Sequence, residues 1–132
     1  MKIVFDTEPI LAFFLGEEGA DMVEKYLKSI EAGEIRGYLN IVNLSEVYYI
    51  LYRISPKIAE EKFKIISESK TILVQPNKDF AKEAGKIKGE YAVSLADAFA
   101  LSTAKAKGGK LLVGADREFK EIQGIEIEGI RR

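Results

Sequence analysis

Residues 94–104 read SLADAFALSTA, and a helix over them is apolar on nearly every side. Leu95, Ala96, Ala98, Phe99, Ala100, Leu101 and Ala104 leave no broad polar face, so the helix belongs in an interior. Asp97 stands in its first turn, where an isolated ionised carboxylate is costly unless something pairs with it. Two roles are open to it. Ser94 and Asp97 have capping-box spacing, so the carboxylate can close its own helix. Alternatively it holds a cation together with other carboxylates.

The rest of the chain supplies layers for such a helix. Lys2–Phe5 is a β-branched and aromatic run that predicts a buried strand, with Asp6 at its carboxyl end. Thr7, Glu8 and Pro9 open a helix through Phe13 and Phe14 that ends at Gly16. A helix over 20–30 and a strand over 38–42 follow. Asn43-Leu-Ser-Glu46 predicts the next helix start, with Asn43 as cap and Glu46 in the first turn. Pro56 separates that helix from another over 58–67. A third strand over 71–74 and a helix over 79–88 lead into the central helix, which Gly108 and Gly109 end. A fourth strand over 110–113, a helical turn over 117–122 and an edge strand over 125–130 complete the chain. Strands alternating with helices predict an α/β sandwich with a mainly parallel sheet. Right-handed crossovers bring the helix starts to the sheet's carboxyl edge, where such folds bind ligands.

The 132 residues form one expected domain, 1–132, large enough to bury its own core. The chain contains no Cys, His or Trp. Thiolate, imidazole and zinc-finger chemistry are therefore excluded. What remains is carboxylates, hydroxyls, Lys and Arg, and the metals that suit them are hard ones. The net charge of −1 argues against gripping nucleic acid by bulk positive charge. No apolar run is long enough to span a membrane, and no signal-peptide layout opens the chain, so a cytoplasmic location is expected.

Asp6, Glu46, Asp97 and Asp116 each fall at or just inside a predicted helix start. Capping and the helix dipole favour acids there. Ser, Thr and Asn cap as well, however, so capping does not require four acids. At 4–6 Å and an effective dielectric near 20, each pair of carboxylates repels by about 3–4 kcal/mol. A divalent cation offsets that directly, so the pattern points to a hard-metal site.

Asp6 after the first strand, Glu46 in NLSEV, Asp97 in SLADA and Asp116 in GADREF together resemble a PIN domain, most closely the VapC-type toxins of toxin–antitoxin pairs. The likeness covers essentially the whole chain. It implies a three-layer sandwich with a five-stranded sheet flanked by helices. It also implies an endoribonuclease dependent on Mg²⁺ or Mn²⁺, with one or two ions, and an acidic set of Asp6, Glu46, Asp97 and Asp116. Thr7 fits the small hydroxyl residue usual after the first Asp; Ala115 stands where many relatives carry Thr, Ser or Asn. A small antitoxin partner and a homodimer are further implications. With no His available, hydrolysis by activated water predicts 5′-phosphate products. Thr7 is expected either to contact water or phosphate or to satisfy a helix N–H. Arg117 is expected either to contact phosphate or to pair with a carboxylate. Phe13, Phe14, Tyr48, Tyr49 and Tyr52 are expected in the core, at a subunit contact or in a groove for a partner helix. The alternative is a catalytically weak or silent module whose acidic site engages a basic partner peptide.

Overall fold

The computed structural model describes all 132 residues. Strand β1 (Lys2–Phe5) lies at the centre of one sheet. It is flanked by β2 (Arg36–Asn40) and β4 (Lys110–Val113), with β3 (Ile72–Val74) and β5 (Ile127–Gly129) at the edges. All four pairings are parallel, so the sheet is wholly rather than mainly parallel. The register puts Phe5 beside both Leu39 and Leu112. Six α-helices connect or follow the strands: α1 (Thr7–Leu15), α2 (Ala20–Glu31), α3 (Ile41–Ile54), α4 (Pro56–Glu68), α5 (Lys78–Glu90) and α6 (Leu95–Lys107). A 3₁₀ turn covers Asp116–Phe119.

The period-two alternation of a strand explains the two cores. Ile3 and Phe5 face one way and join Ile10, Val23, Leu51 and Ile66 from α1 to α4. Val4 faces the other way and joins Ala84 of α5 and Ala98, Leu101 and Ala104 of α6. Ile3, Val4 and Phe5 are fully buried, and burying each contributes about 1.5–3 kcal/mol. That is why an almost purely apolar run forms the central strand.

Helix α6 is buried from Ala98 to Ala104 apart from Phe99, which is partly buried. Its two interior hydroxyls are satisfied locally: Ser102 donates to the Ala98 carbonyl at 2.9 Å and Thr103 to the Phe99 carbonyl at 2.8 Å. The all-round apolar expectation fails in the first turn, where Leu95 is 53% exposed. That turn projects past the packed body of the helix, towards the site described below.

One helix boundary departs from the sequence reading in a way that matters. Strand β2 ends at Asn40, and Asn40, not Asn43, caps α3. Its extended backbone lets Oδ1 accept from the Val42 N–H at 2.9 Å. Its Nδ2 donates to Thr103 Oγ1 at 3.0 Å, which ties the start of α3 to α6. The β-branched Ile41 and Val42 therefore belong to the helix, and Glu46 lies in its second turn rather than its first. The same competition between caps moves α4 forward to Pro56, behind Ser55, and α5 to Lys78, behind Asn77. The last two segments are shorter than expected, at 116–119 and 127–129.

Candidate active site

Strands β1 and β4 end side by side, and each hands its chain to a turn at the same sheet edge. The start of α6 faces them there. Between these ends and α3 lies a cavity of about 470 Å³, lined by Asp6, Thr7, Glu46, Ser94, Asp97 and Arg117 among others. Three of the four acids expected from the sequence thus share one cavity. The fourth does not join them. Asp116 is exposed and its side chain is outside the lining, although its neighbours Ala115 and Arg117 belong to it. Its backbone is held under β5, where Gly129 leaves room: a Cβ there would stand 3.1 Å from the Asp116 nitrogen.

Asp6 is the most buried acid of the set, at 3% exposed. Its backbone N–H continues the β1–β4 ladder to the Leu112 carbonyl at 2.9 Å. Its side chain caps α1 by accepting from the Thr7 N–H at 2.8 Å. Burial pushes its carboxyl well above the usual carboxylate range. The hydrogen bond with Asp97 and the charges of Asp97 and Glu46 push it further up, and the Thr7 N–H partly opposes them. Asp97 and Glu46 thus stand near enough to Asp6 for their charges to be felt.

Asp97 does form the capping box. Its N–H donates to Ser94 Oγ at 3.0 Å, and its Oδ2 accepts from the Ser94 N–H at 3.2 Å. The cap and the cavity are therefore served by one carboxylate.

Asn43, read as a cap from the sequence, is a buried linker instead. Its Nδ2 donates to Asp6 Oδ1 at 3.2 Å, Thr7 Oγ1 at 3.1 Å and the Ala96 carbonyl at 3.1 Å. It joins the two acid-bearing junctions from below. Its Oδ1 is the one buried side-chain oxygen without a partner. Thr7 accepts from Asn43 and is buried, so its hydroxyl is already engaged within the protein. Glu8, Glu118 and Arg131 also line the cavity, and nothing in the sequence singled them out. Their positions depend on which distant segments meet at this edge.

The donor set suits a hard cation by type, since every candidate ligand is an oxygen. It suits one electrostatically too, because a cation would offset the burial and like charges that disfavour ionised Asp6. No three carboxylates are drawn together tightly enough to close around an ion as they stand. Asp6 and Asp97 form the tight part of the site, and Glu46 the looser part.

The PIN-domain family profile matches residues 3–125, and the chain belongs to that family. Solved structures with a similar fold come from toxin–antitoxin systems. The chain is similar to one in the crystal structure of VapBC2 from Rickettsia felis bound to a DNA fragment from its promoter. There the TM-score is 0.78 at 17% identity, over 98% of both chains. A toxin–antitoxin complex from Klebsiella pneumoniae gives a TM-score of 0.70 at 20% identity, over 97% of both chains. VapC20 of Mycobacterium tuberculosis, a toxin that cleaves the sarcin–ricin loop, gives 0.68 at 17% identity, over 82% of this chain and 85% of its own. No curated protein matches the chain. No helix is long and apolar enough to cross a membrane.

Proposed function

We propose that the protein is a divalent-metal-dependent endoribonuclease and the toxin of a toxin–antitoxin pair. The observation that carries this reading is the convergence of buried Asp6, Asp97 and Glu46 on one cavity at the carboxyl edge. Membership of the PIN family supports it, as does the likeness to VapC20 and to toxin–antitoxin complexes.

Asp6, Asp97 and Glu46 would hold Mg²⁺ or Mn²⁺, with Asp116 adding negative charge at the rim. When bound, the ion supplies a nucleophilic water at neutral pH and neutralises charge building on the phosphate. The protein's own groups do the positioning. Asp6 would hold the ion through its carboxylate, the form that burial otherwise disfavours. Asn43 keeps Asp6 and the first turn of α6 at a fixed separation. Glu46, on the looser side, orients the attacking water. The water oxygen bonds to phosphorus as the bond from phosphorus to the 3′ oxygen breaks. The products are a 5′-phosphate and a 3′-hydroxyl.

The test is incubation with single-stranded and structured RNAs in Mn²⁺ or in EDTA, beside Asp97→Asn. Cleavage that needs Mn²⁺, fails in the variant and leaves 5′-phosphate ends is the expected result. Cleavage in EDTA, or 2′,3′-cyclic phosphate ends, would refute the mechanism. No cleavage with tight binding of a basic peptide would replace it with the silent-module reading. The antitoxin partner and the homodimer belong to the same proposal, and co-purification and sedimentation read them.

A further inference from the structure

The acid cavity has a charge problem. Its lining holds five carboxylates and two cations, Arg117 and Arg131. An RNA strand brings one more negative charge per nucleotide. A cation held by the acids neutralises part of this, but the phosphates flanking the cut still need partners.

Arg131 is the better placed of the two. The segment after β5 is pinned to the end of β4. The Ile130 N–H donates to the Val113 and Gly114 carbonyls at 3.0 and 2.9 Å, and the Arg131 N–H to the Gly114 carbonyl at 3.2 Å. Ile130 is itself buried against the first core. Gly19 makes room for it, since a Cβ there would stand 2.7 Å from the Ile130 oxygen. The Arg131 side chain is only 26% exposed and donates from Nη2 to Glu8 Oε2. That ion pair lies directly over Gly114, where a Cβ would overlap Glu8 Oε2 and stand 3.1 Å from Arg131 Nη2. A guanidinium carries five N–H groups, and the bond to Glu8 comes from one of its nitrogens. The rest of the fork remains available at the cavity, and a guanidinium suits bidentate binding of phosphate oxygens.

We propose that Arg131 binds an RNA backbone phosphate next to the acid site, and that Glu8, over Gly114, holds the guanidinium there until RNA displaces it. This rests on the ribonuclease reading above. The competing account is that Arg131 only neutralises Glu8 and fastens the segment after β5. The two accounts differ in sign at Glu8. As a fastener, the pair fails alike when either member is changed. As a phosphate site, Arg131 attracts RNA while Glu8 repels it and competes for the same fork.

Binding of a labelled single-stranded RNA to the Asp97→Asn protein, at fixed Mg²⁺ and varied salt, separates them. Arg131→Ala is expected to weaken binding by about tenfold. It is also expected to flatten the slope of log K against log salt by about 0.7, the value for one phosphate contact on a single strand. Arg131→Lys should restore the slope and only part of the affinity. Glu8→Gln should tighten binding. Unchanged affinity and slope in Arg131→Ala, or equal weakening by Arg131→Ala and Glu8→Gln, would overturn the proposal. Should Arg131→Ala fail to fold, full affinity in Arg131→Lys overturns it instead. An Arg131→Ala protein that cleaves RNA with unchanged KM refutes this inference and leaves the nuclease intact. A wild-type protein that neither binds nor cleaves RNA refutes the nuclease reading itself.

Discussion

Asp6 and Asp97 line one cavity and each helps close the start of a helix, yet their surroundings differ. Asp6 is buried at the end of the central strand, and its capping bond is to the adjacent Thr7 N–H. Asp97 is partly exposed and belongs to a reciprocal box with Ser94. Burial pushes the Asp6 carboxyl well above the ordinary carboxylate range. A pair of acids in contact can share one negative charge most readily when their surroundings differ, because the proton then has a preferred home. Here the buried acid is Asp6, whose charged form burial disfavours, so a bound cation would act most strongly there.

The largest expected effect breaks this asymmetry at its buried end. Asp6→Asn keeps an oxygen to accept from Thr7 and Asn43 but never ionises. RNA cleavage should fall by roughly a thousandfold or more, the scale on which electrostatic stabilisers act. The same variant, free of metal, should melt higher than wild type by several degrees, since about 1 kcal/mol moves the melting point by about 4 °C in a chain of this size. Mn²⁺ should raise the melting point of wild type and leave that of the variant nearly unmoved. A lower melting point for metal-free Asp6→Asn would mean that the Asp6 carboxyl is not under charge stress in the fold.

Asn43 sharpens the comparison from beneath, since its amide bonds to Asp6, Thr7 and the turn that carries Asp97. Asn43→Ala should destabilise the fold by about 2–3 kcal/mol, through lost hydrogen bonds and stranded buried acceptors. Affinity for Mn²⁺ should drop about tenfold, as is typical when a supporting contact behind a metal ligand is removed. Calorimetric titration reads the second effect separately from the first. Unchanged Mn²⁺ affinity in a folded Asn43→Ala protein would show that the amide fastens helices and does not set the acids.

The raised Asp6 carboxyl also predicts a pH dependence. In the unfolded chain this carboxyl titrates near 3.8, whereas in the folded protein it holds its proton to a well higher pH. Between those values the folded state binds more protons, so its contribution to stability falls as pH rises. The slope for one such proton reaches about 1.4 kcal/mol per pH unit. Melting of metal-free protein should therefore drop as pH climbs above 3.8, and less so in Asp6→Asn. Equal slopes in the two proteins would remove Asp6 as the site of the proton.

The uneven legibility of this site in the sequence has physical causes. Asp6 and Asp97 were readable because each is fixed by local rules, the end of a β-branched run and a capping box. The sheet was readable because its central strand is apolar on both faces. A cap at Asn43 is an incomplete ground for placing Glu46 at the site. Asn40 and Asn43 are both competent caps, and the choice between them depends on Thr103, 63 residues away, which takes the Asn40 amide. Asn43 was then free to turn inward, a role no local pattern announces. Asp116 was placed by its GADREF motif, but the pattern cannot say where a side chain on an exposed 3₁₀ turn points. Arg131 and Glu8 meet across 123 residues of chain over a glycine, and only the folded edge reveals that contact.

The smallest effect tests the other end of the pair. Ser94→Ala removes the hydroxyl that accepts from the Asp97 N–H. Loss of such a cap costs about 1 kcal/mol, or about 4 °C in melting temperature. The Asp97 carboxylate keeps its bond to the Ser94 backbone N–H, so the first turn of α6 loses half of its box. If Asp97 is chiefly a cap, that cost is the whole consequence, and Mn²⁺ raises the melting point of the variant as much as that of wild type. If the box also aims Asp97 at Asp6, the metal-induced rise shrinks in the variant while the metal-free protein loses only its degree or so per quarter of a kcal/mol. The two shifts come from the same pair of melts. Their ratio separates a carboxylate that merely closes its helix from one whose helix is built to present it.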